Sequence, residues 1–189
     1  MAKRHNHYEA AFEEYLREER IPYVAVDEKR RALRSGGSLK SLDFIVSPET
    51  PPAYEYSPMG GGERWLVDVK GRRFPSGLSS PQYWRNWSTR DELDSLAHWA
   101  ERFGPGFTAM LVFAFHLTAD RSPVAPEKIF YWRGEAYAFV GVRLSDYRRA
   151  ARPLSARWRT VTTGVKQFRR IARPVDELFA EPAPMGAHS

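Results

Sequence analysis

The stretch Phe107 to Leu117, FTAMLVFAFHL, constrains the fold more than any other part of the chain. It is almost wholly apolar, so an extended strand here would be hydrophobic on both faces. It is too short to span a bilayer, and Thr108 and His116 interrupt it. Such a strand belongs at the centre of a sheet with a layer packed on each side. The remaining chain must supply those layers. At 189 residues it is the size of one domain and can bury a sizeable core without disulfides.

Periodicity supplies the layers. Tyr8, Ala11, Phe12, Tyr15 and Leu16 form one apolar stripe, which predicts a helix from Asn6 to Arg20, stopped by Pro22. Strands are predicted at Tyr23–Val26, Ser41–Val46 and Arg64–Lys70. Residues 27–40 read as a loop, and the proline- and glycine-rich residues 47–62 as a turn-rich excursion. The Gly60-Gly61-Gly62 triplet precedes Glu63-Arg64-Trp65 and a strand. A phosphate-cradling loop would want Lys-Ser/Thr and a helix there. Residues 71–87 read as a polar loop carrying Trp84 and Trp87. Either a substrate wedge or packed loop anchors would suit these two tryptophans. Thr89 to Glu92 has capping-box spacing ahead of an apolar face of Leu93, Leu96, Ala97 and Ala100, ended by Gly104 and Pro105. Lys128–Val142 reads as a hairpin, Leu144–Ala151 as helical turns, and residues 181–189 as a flexible tail. The class is α/β, a mixed sheet flanked by helices, in a main unit of residues 1–142 with a basic extension, 143–180, packed on it.

Composition narrows the chemistry. Cysteine is absent, which excludes a thiol nucleophile and Cys-ligated metals. None of the five histidines has zinc-site spacing, and GxSxG, Walker and GxGxxG sequences are missing. Residues 1–10, MAKRHNHYEA, carry no apolar signal region, so a soluble, cytoplasmic protein without a membrane partner is expected. Lys and Arg number 29 against 23 Asp and Glu, a net charge of +6 that favours an anionic partner, nucleic acid first.

The predicted strand Arg64–Lys70 alternates its faces. Asp68 and Lys70 share a face with Leu66; Trp65, Val67 and Val69 take the other. A buried acid and lysine are costly unless paired or ligating. Asp43 is the one charge in an otherwise apolar strand. On neighbouring strands Asp43 and Asp68 can converge, and two carboxylates about 4 Å apart repel by roughly 4 kcal/mol at an effective dielectric of 20. A shared proton, Lys70 or a divalent cation would relieve that. Mg²⁺ takes one or two carboxylates plus water and phosphate oxygens, which suits phosphodiester hydrolysis. On the helix, Glu9 lies at the rim of the apolar stripe, while Glu13 and Glu14 turn outward.

A helix glutamate, an aspartate on one strand and Asp-X-Lys on the next resemble the PD-(D/E)XK, or restriction-endonuclease-like, nuclease superfamily. The match covers about residues 7–71, and the order of elements on either side resembles the core of that fold. His7 to Glu13 also fits HYExAFE, the motif that names a poorly characterised family. Two departures stand out: Leu42 takes a position where the superfamily often has proline, and the Asp43-to-Asp68 interval is long. Asp27-Glu28-Lys29 repeats the string without a second acid upstream. The resemblance implies a Mg²⁺- or Mn²⁺-dependent nuclease acting on nucleic acid, DNA in the first place. Asp43, Asp68 and the Val69 carbonyl would bind the metal, and Glu9 would bind it directly or through water. Lys70 would orient the attacking water and stabilise developing charge. Two alternatives stay open: a nuclease-like binding protein that does not cut, and a structural ion pair of Lys70 with Asp68 or Asp43.

From Arg143 to Arg173 the chain holds ten Arg or Lys and one acid, Asp146, with Tyr147, Trp158 and Phe168 interleaved. Arginine fits phosphate bidentately, and aromatic rings stack on bases. Arg148, Arg149, Arg169 and Arg170, with Arg72 and Arg73 beside Lys70, are the expected nucleic-acid contacts.

Overall fold

The computed structural model describes residues 6–26, 33–34, 37–38, 40–48, 63–77 and 79–181. The decoy Asp27-Glu28-Lys29, most of the proline–glycine excursion and the tail from residue 182 lie outside them. In chain order the elements are α1 (His7–Glu18), β1 (Tyr23–Ala25), β2 (Leu33–Arg34), β3 (Gly37–Ser38), β4 (Phe44–Val46), β5 (Arg64–Phe74), β6 (Ser88–Thr89), α2 (Arg90–Phe103) and β7 (Phe107–Leu117). There follow β8 (Phe130–Trp132), β9 (Glu135–Arg143), α3 (Leu144–Ala150), β10 (Arg152–Ser155), β11 (Thr160–Thr162), α4 (Val165–Ile171), β12 (Arg173–Pro174) and α5 (Val175–Ala180).

The main sheet runs β1-β4-β5-β7-β9-β12, with β8 paired to β9. It is mixed: β5 and β7 are parallel over eleven residue pairs, and the other pairings are antiparallel. A parallel pair needs a long crossover, and α2 lies within it. As its composition demands, β7 is central and covered on both faces. Met110, Val112 and Ala114 pack with Trp65, Val67 and Val69 against Ala11, Phe12 and Leu16 of α1, and against Val175 and Leu178 of α5. Leu111, Phe113 and Phe115 pack with Leu66 against Leu93 and Leu96 of α2, Tyr147 of α3 and Phe168 of α4. The result is the mixed α/β sheet flanked by helices that the sequence predicts.

Local chemistry sets the ends of the elements that matter for the site. Asn6 caps α1, its side-chain oxygen accepting from the Tyr8 amide at 3.1 Å. Full burial of Phe12 and Leu16 holds this helix to the sheet, at about 1.5–3 kcal/mol each. Thr89 caps α2 in a complete capping box with Glu92. Strand β5 is longer than the sequence suggests, continuing through Gly71, Arg72 and Arg73 to Phe74. Conversely β4 is shorter, and Asp43 stands just before it. From Leu144 onward the chain does more than coat the surface: Leu144, Tyr147, Val161 and Phe168 enter one cluster, and β12 joins the main sheet. No helix among the described residues is long and apolar enough to cross a membrane.

Candidate active site

Strands β4 and β5 pair from Val46↔Trp65 to Phe44↔Val67, and there the ladder stops. The next residues outward are Asp43, just before β4, and Asp68 on β5. Asp43 is held on three sides. Its amide donates to the Val67 carbonyl at 2.9 Å, and its carbonyl accepts from the Val26 amide at 2.9 Å. Its carboxylate Oδ2 accepts from the Val69 amide at 2.6 Å. Only 4% of Asp43 is exposed. Within a strand a residue's amide and carbonyl point to the same edge, so the Val69 carbonyl faces the side on which Asp43 sits.

Glu9, Asp43, Asp68, Val69 and Lys70 all line one cavity of about 590 Å³. It opens where β4 ends, between the first turns of α1 and α2; Asn6, Tyr8, Asp91 and Glu92 also wall it. Gly71 explains how α1 comes so close. A Cβ at this position would sit 2.1 Å from the Tyr8 ring, so only glycine lets that ring lie on β5 and bring Glu9 alongside. Glu9 Oε1 in turn accepts from the Asn6 side-chain amide at 2.9 Å.

The charges in the cavity are strained in one part and satisfied in another. Burial, then the neighbouring Asp68 and Glu9 carboxylates, push the Asp43 carboxyl well above the ordinary aspartate range, against the pull of the Val69 amide and Lys70. Burial also raises Asp68, although Lys70 opposes it. Lys70 Nζ lies 2.6 Å from Asp68 Oδ2 and 3.2 Å from Glu92 Oε1. The contact to buried Asp68 Oδ2 is an ion pair without well-aligned hydrogen-bond geometry. Burial alone would lower the Lys70 ammonium, but Asp68 and Glu92 outweigh it and hold it above the usual lysine value. Lys70 is therefore a charged donor at neutral pH and not a base.

This donor set fits a hard divalent cation. Burial and the neighbouring carboxylates disfavour the charge of Asp43, burial disfavours that of Asp68, and a strand carbonyl faces the same side; a divalent cation would relieve that cost with the oxygen ligands that Mg²⁺ takes. Among the described residues no three acidic or imidazole side chains come together to ligate one ion jointly.

Glu92 is the functional candidate that sequence reasoning missed. Its capping-box spacing marks it as a helix cap, and Oε2 does accept from the Thr89 amide at 2.9 Å and the Ser88 hydroxyl at 2.8 Å. Its other oxygen meets Lys70 at 3.2 Å and Lys40 at 3.3 Å. Burial opposes ionisation, but Lys70, the Thr89 amide, the Ser88 hydroxyl and Lys40 bring its pKa down to about 2. A folded pKa below the unfolded value of about 4.3 stabilises the fold above that pH. The contribution is lost as pH falls from about 4.5 toward 2. Allowing for solvent around a side chain that is 22% exposed, the charge contributes about 1–2 kcal/mol. Glutamine can keep the cap. Glu92→Gln should therefore lower stability to urea at pH 7 by about that amount, and the gap should narrow to about half by pH 3. Urea denaturation at pH 7, 4 and 3 checks this; a gap independent of pH would place the stabilisation elsewhere.

The arginines divide. Arg72 is drawn inward, donating to the Gly71 carbonyl at 2.7 Å and to the Trp87 carbonyl. Its guanidinium lies 4.1 Å from the centre of the Trp87 ring, and burial brings its pKa down to about 10. It walls the cavity instead of standing free on the surface. Arg73 is exposed. Arg148 pairs with Asp94 at 3.1 Å and Arg149 with Asp146 at 3.4 Å. The Arg169 guanidinium lies 5.4 Å from the Trp84 ring centre, and Arg170 is exposed. The two tryptophans part company: Trp84 packs on Phe74, Phe115 and Phe168, whereas Trp87 is partly exposed at the cavity wall. His7 Nδ1 is 2.8 Å from the Tyr137 hydroxyl, and His116 pairs with Glu135 at 2.7 Å.

No protein-family model matches the chain, and no curated protein matches it. Among solved structures it is similar to Archaeoglobus fulgidus Hjc, a Holliday junction resolvase from an archaeal hyperthermophile. The two share 11% identity with a TM-score of 0.47, over 92% of this chain and 98% of that one. A likeness of that depth carries no functional conclusion.

Proposed function

We propose that the protein is a metal-dependent nuclease that hydrolyses phosphodiester bonds in nucleic acid, DNA in the first place. One observation carries this reading: Glu9, Asp43, Asp68 and Lys70 share a single cavity at the end of a strand pair. This is the constellation that resembles PD-(D/E)XK nucleases. Asp43, Asp68 and the Val69 carbonyl would hold Mg²⁺ or Mn²⁺, with Glu9 contributing directly or through water. When bound, the cation would neutralise the crowded carboxylates, polarise the scissile phosphate and favour ionisation of a water.

The chain's own residues do the rest. The Val69 amide fixes the orientation of the Asp43 carboxylate. Glu92 and Asp68 grip Lys70 from two sides, which holds its ammonium at the cavity wall. From there it orients the attacking water and stabilises negative charge building on the phosphate oxygens. It remains protonated throughout, because its two carboxylate partners keep its pKa high. Asp91, Tyr8 and Trp87 shape the cavity mouth. Arg73, Arg148, Arg149, Arg169 and Arg170 are the proposed phosphate contacts beyond it. The ion pairs of Arg148 and Arg149 are exposed, and such pairs are weak enough to exchange for phosphate.

The test is incubation of the purified chain with labelled single-stranded, duplex and forked DNA and with RNA. Mg²⁺ or Mn²⁺ should support cleavage of at least one, and chelator should stop it. Binding without cleavage under every condition would leave a nuclease-like binding protein. Neither binding nor cleavage would return the cavity to a structural ion network.

A further inference from the structure

The β10–β11 hairpin turns at Ala156-Arg157-Trp158-Arg159, and no acidic residue occurs between Tyr147 and Val175. Its second strand pairs with β6, joining Val161 to Ser88 and Thr160 to Thr89. Strand β6 lies between Trp87 and Asp91, two residues of the cavity wall. The turn is fastened to that wall. The Arg159 carbonyl accepts from the Arg90 amide at 2.9 Å, and Arg159 Nη1 pairs with Asp91 at 3.0 Å. Arg159 therefore ties the hairpin tip to Asp91, a residue of the cavity wall.

Trp158 at this tip is 67% exposed. The Arg157 guanidinium is 5.1 Å from its ring centre, and the Trp158 amide is tied to the Ser155 hydroxyl at 3.3 Å. Tryptophan is the largest apolar side chain, and its stabilising contribution to a fold comes from burial. Here it gains little within the described fold and stands between two cations. A planar ring flanked by arginines has the chemistry of a base-stacking platform on a polyanion.

We propose that this tip is a nucleobase-stacking element. Trp158 receives an unpaired base of the strand entering the cavity, and Arg157 and Arg159 contact the flanking phosphates. Arg159 can leave Asp91 to do so, because an exposed pair of that kind is weak. The preferred substrate would then contain unpaired nucleotides beside the bond that is cut, as a fork or flap does and a continuous duplex does not. This inference rests on the nuclease reading of the cavity.

Binding of a forked DNA, with single-stranded arms on a 20-base-pair stem, separates the possibilities. The full chain and its Trp158→Ala and Trp158→Phe variants are titrated in chelator, so that nothing is cut, alongside the stem duplex alone. Circular dichroism verifies folding, which an exposed side chain should not disturb. Trp158→Ala should bind the fork about tenfold more weakly and the duplex within about twofold of wild type; Trp158→Phe should retain most of the affinity. Equal fork binding by wild type and Trp158→Ala would overturn the stacking role and leave the nuclease reading standing. An equal loss on fork and duplex would also overturn it, by making Trp158 a general contact. Failure of the wild-type chain to bind either DNA would remove this inference and count against the nuclease reading together.

Discussion

Lys70→Ala is expected to slow cleavage by about 10²–10³-fold while leaving nucleic-acid affinity within about twofold. The ammonium is asked to stabilise charge that develops in the reaction, and removing one such donor costs roughly that much in rate. It contributes little to ground-state binding, which phosphate contacts outside the cavity dominate. Alanine also leaves Asp68 and Glu92 without their shared cation. A buried carboxylate stripped of its partner destabilises a fold by about 3–5 kcal/mol, so the alanine variant needs a companion. Lys70→Arg keeps the charge and the fold, but a planar fork cannot take the place of a compact ammonium. It should melt close to wild type and still lose most of its activity. Single-turnover cleavage, with thermal melting of all three proteins, reads both effects. Full activity in folded Lys70→Arg and Lys70→Ala would remove Lys70 from the chemistry.

Asp43→Asn is expected to raise stability and abolish cleavage together. The folded pKa of Asp43 lies well above its ordinary value, because burial and the Asp68 and Glu9 carboxylates disfavour its charge. For an acid shifted upward, ionisation costs stability, and the cost grows as pH climbs from the unfolded pKa of about 3.9 to the folded one. Asparagine removes that cost and can still accept from the Val69 amide. A relief of about 1–2 kcal/mol would raise melting in chelator at neutral pH by roughly 2–8 °C. The difference should disappear below about pH 4, where the wild-type carboxyl is protonated in both states. Mg²⁺ should raise the melting temperature of wild type more than that of Asp43→Asn, since a cation bound only by the native state stabilises it. A purely structural ion network predicts the opposite sign: Asp43→Asn would destabilise the protein, and Mg²⁺ would act on neither.

Strand alternation makes much of this candidate site legible in the sequence itself. The Phe107–Leu117 run announced a central strand. The period of two put Asp68 and Lys70 on the face of Leu66, and a charge in an apolar strand singled out Asp43. The helical period likewise marked Glu9 at the rim of its stripe. Glu92 was hidden for a physical reason. Its sequence context is fully explained by the helix cap, and its second oxygen meets Lys70 only because α2 docks across β5. Arg72 and Arg73 disguised the far half of β5 as loop, because the packing that lets a strand carry Arg72 there comes from Trp87, fifteen residues on. In the basic segment, charge masked the apolar positions. Val161, Phe168 and Ala172 join the core between the arginines, and Arg173–Pro174 pairs with β9.

Cleavage of one DNA substrate is compared for wild type and Asp68→Asn, purified in parallel and assayed across Mg²⁺ concentrations with a chelator control. Asparagine keeps the shape of Asp68 but removes the charge needed for both the cation and Lys70. Wild type should cleave at a rate that rises with Mg²⁺ and falls to nothing in chelator. Asp68→Asn should cleave at least about 10²-fold more slowly, with DNA affinity preserved. Equal cleavage by the two proteins, or cleavage indifferent to chelator, would contradict a metal-dependent site at Asp68.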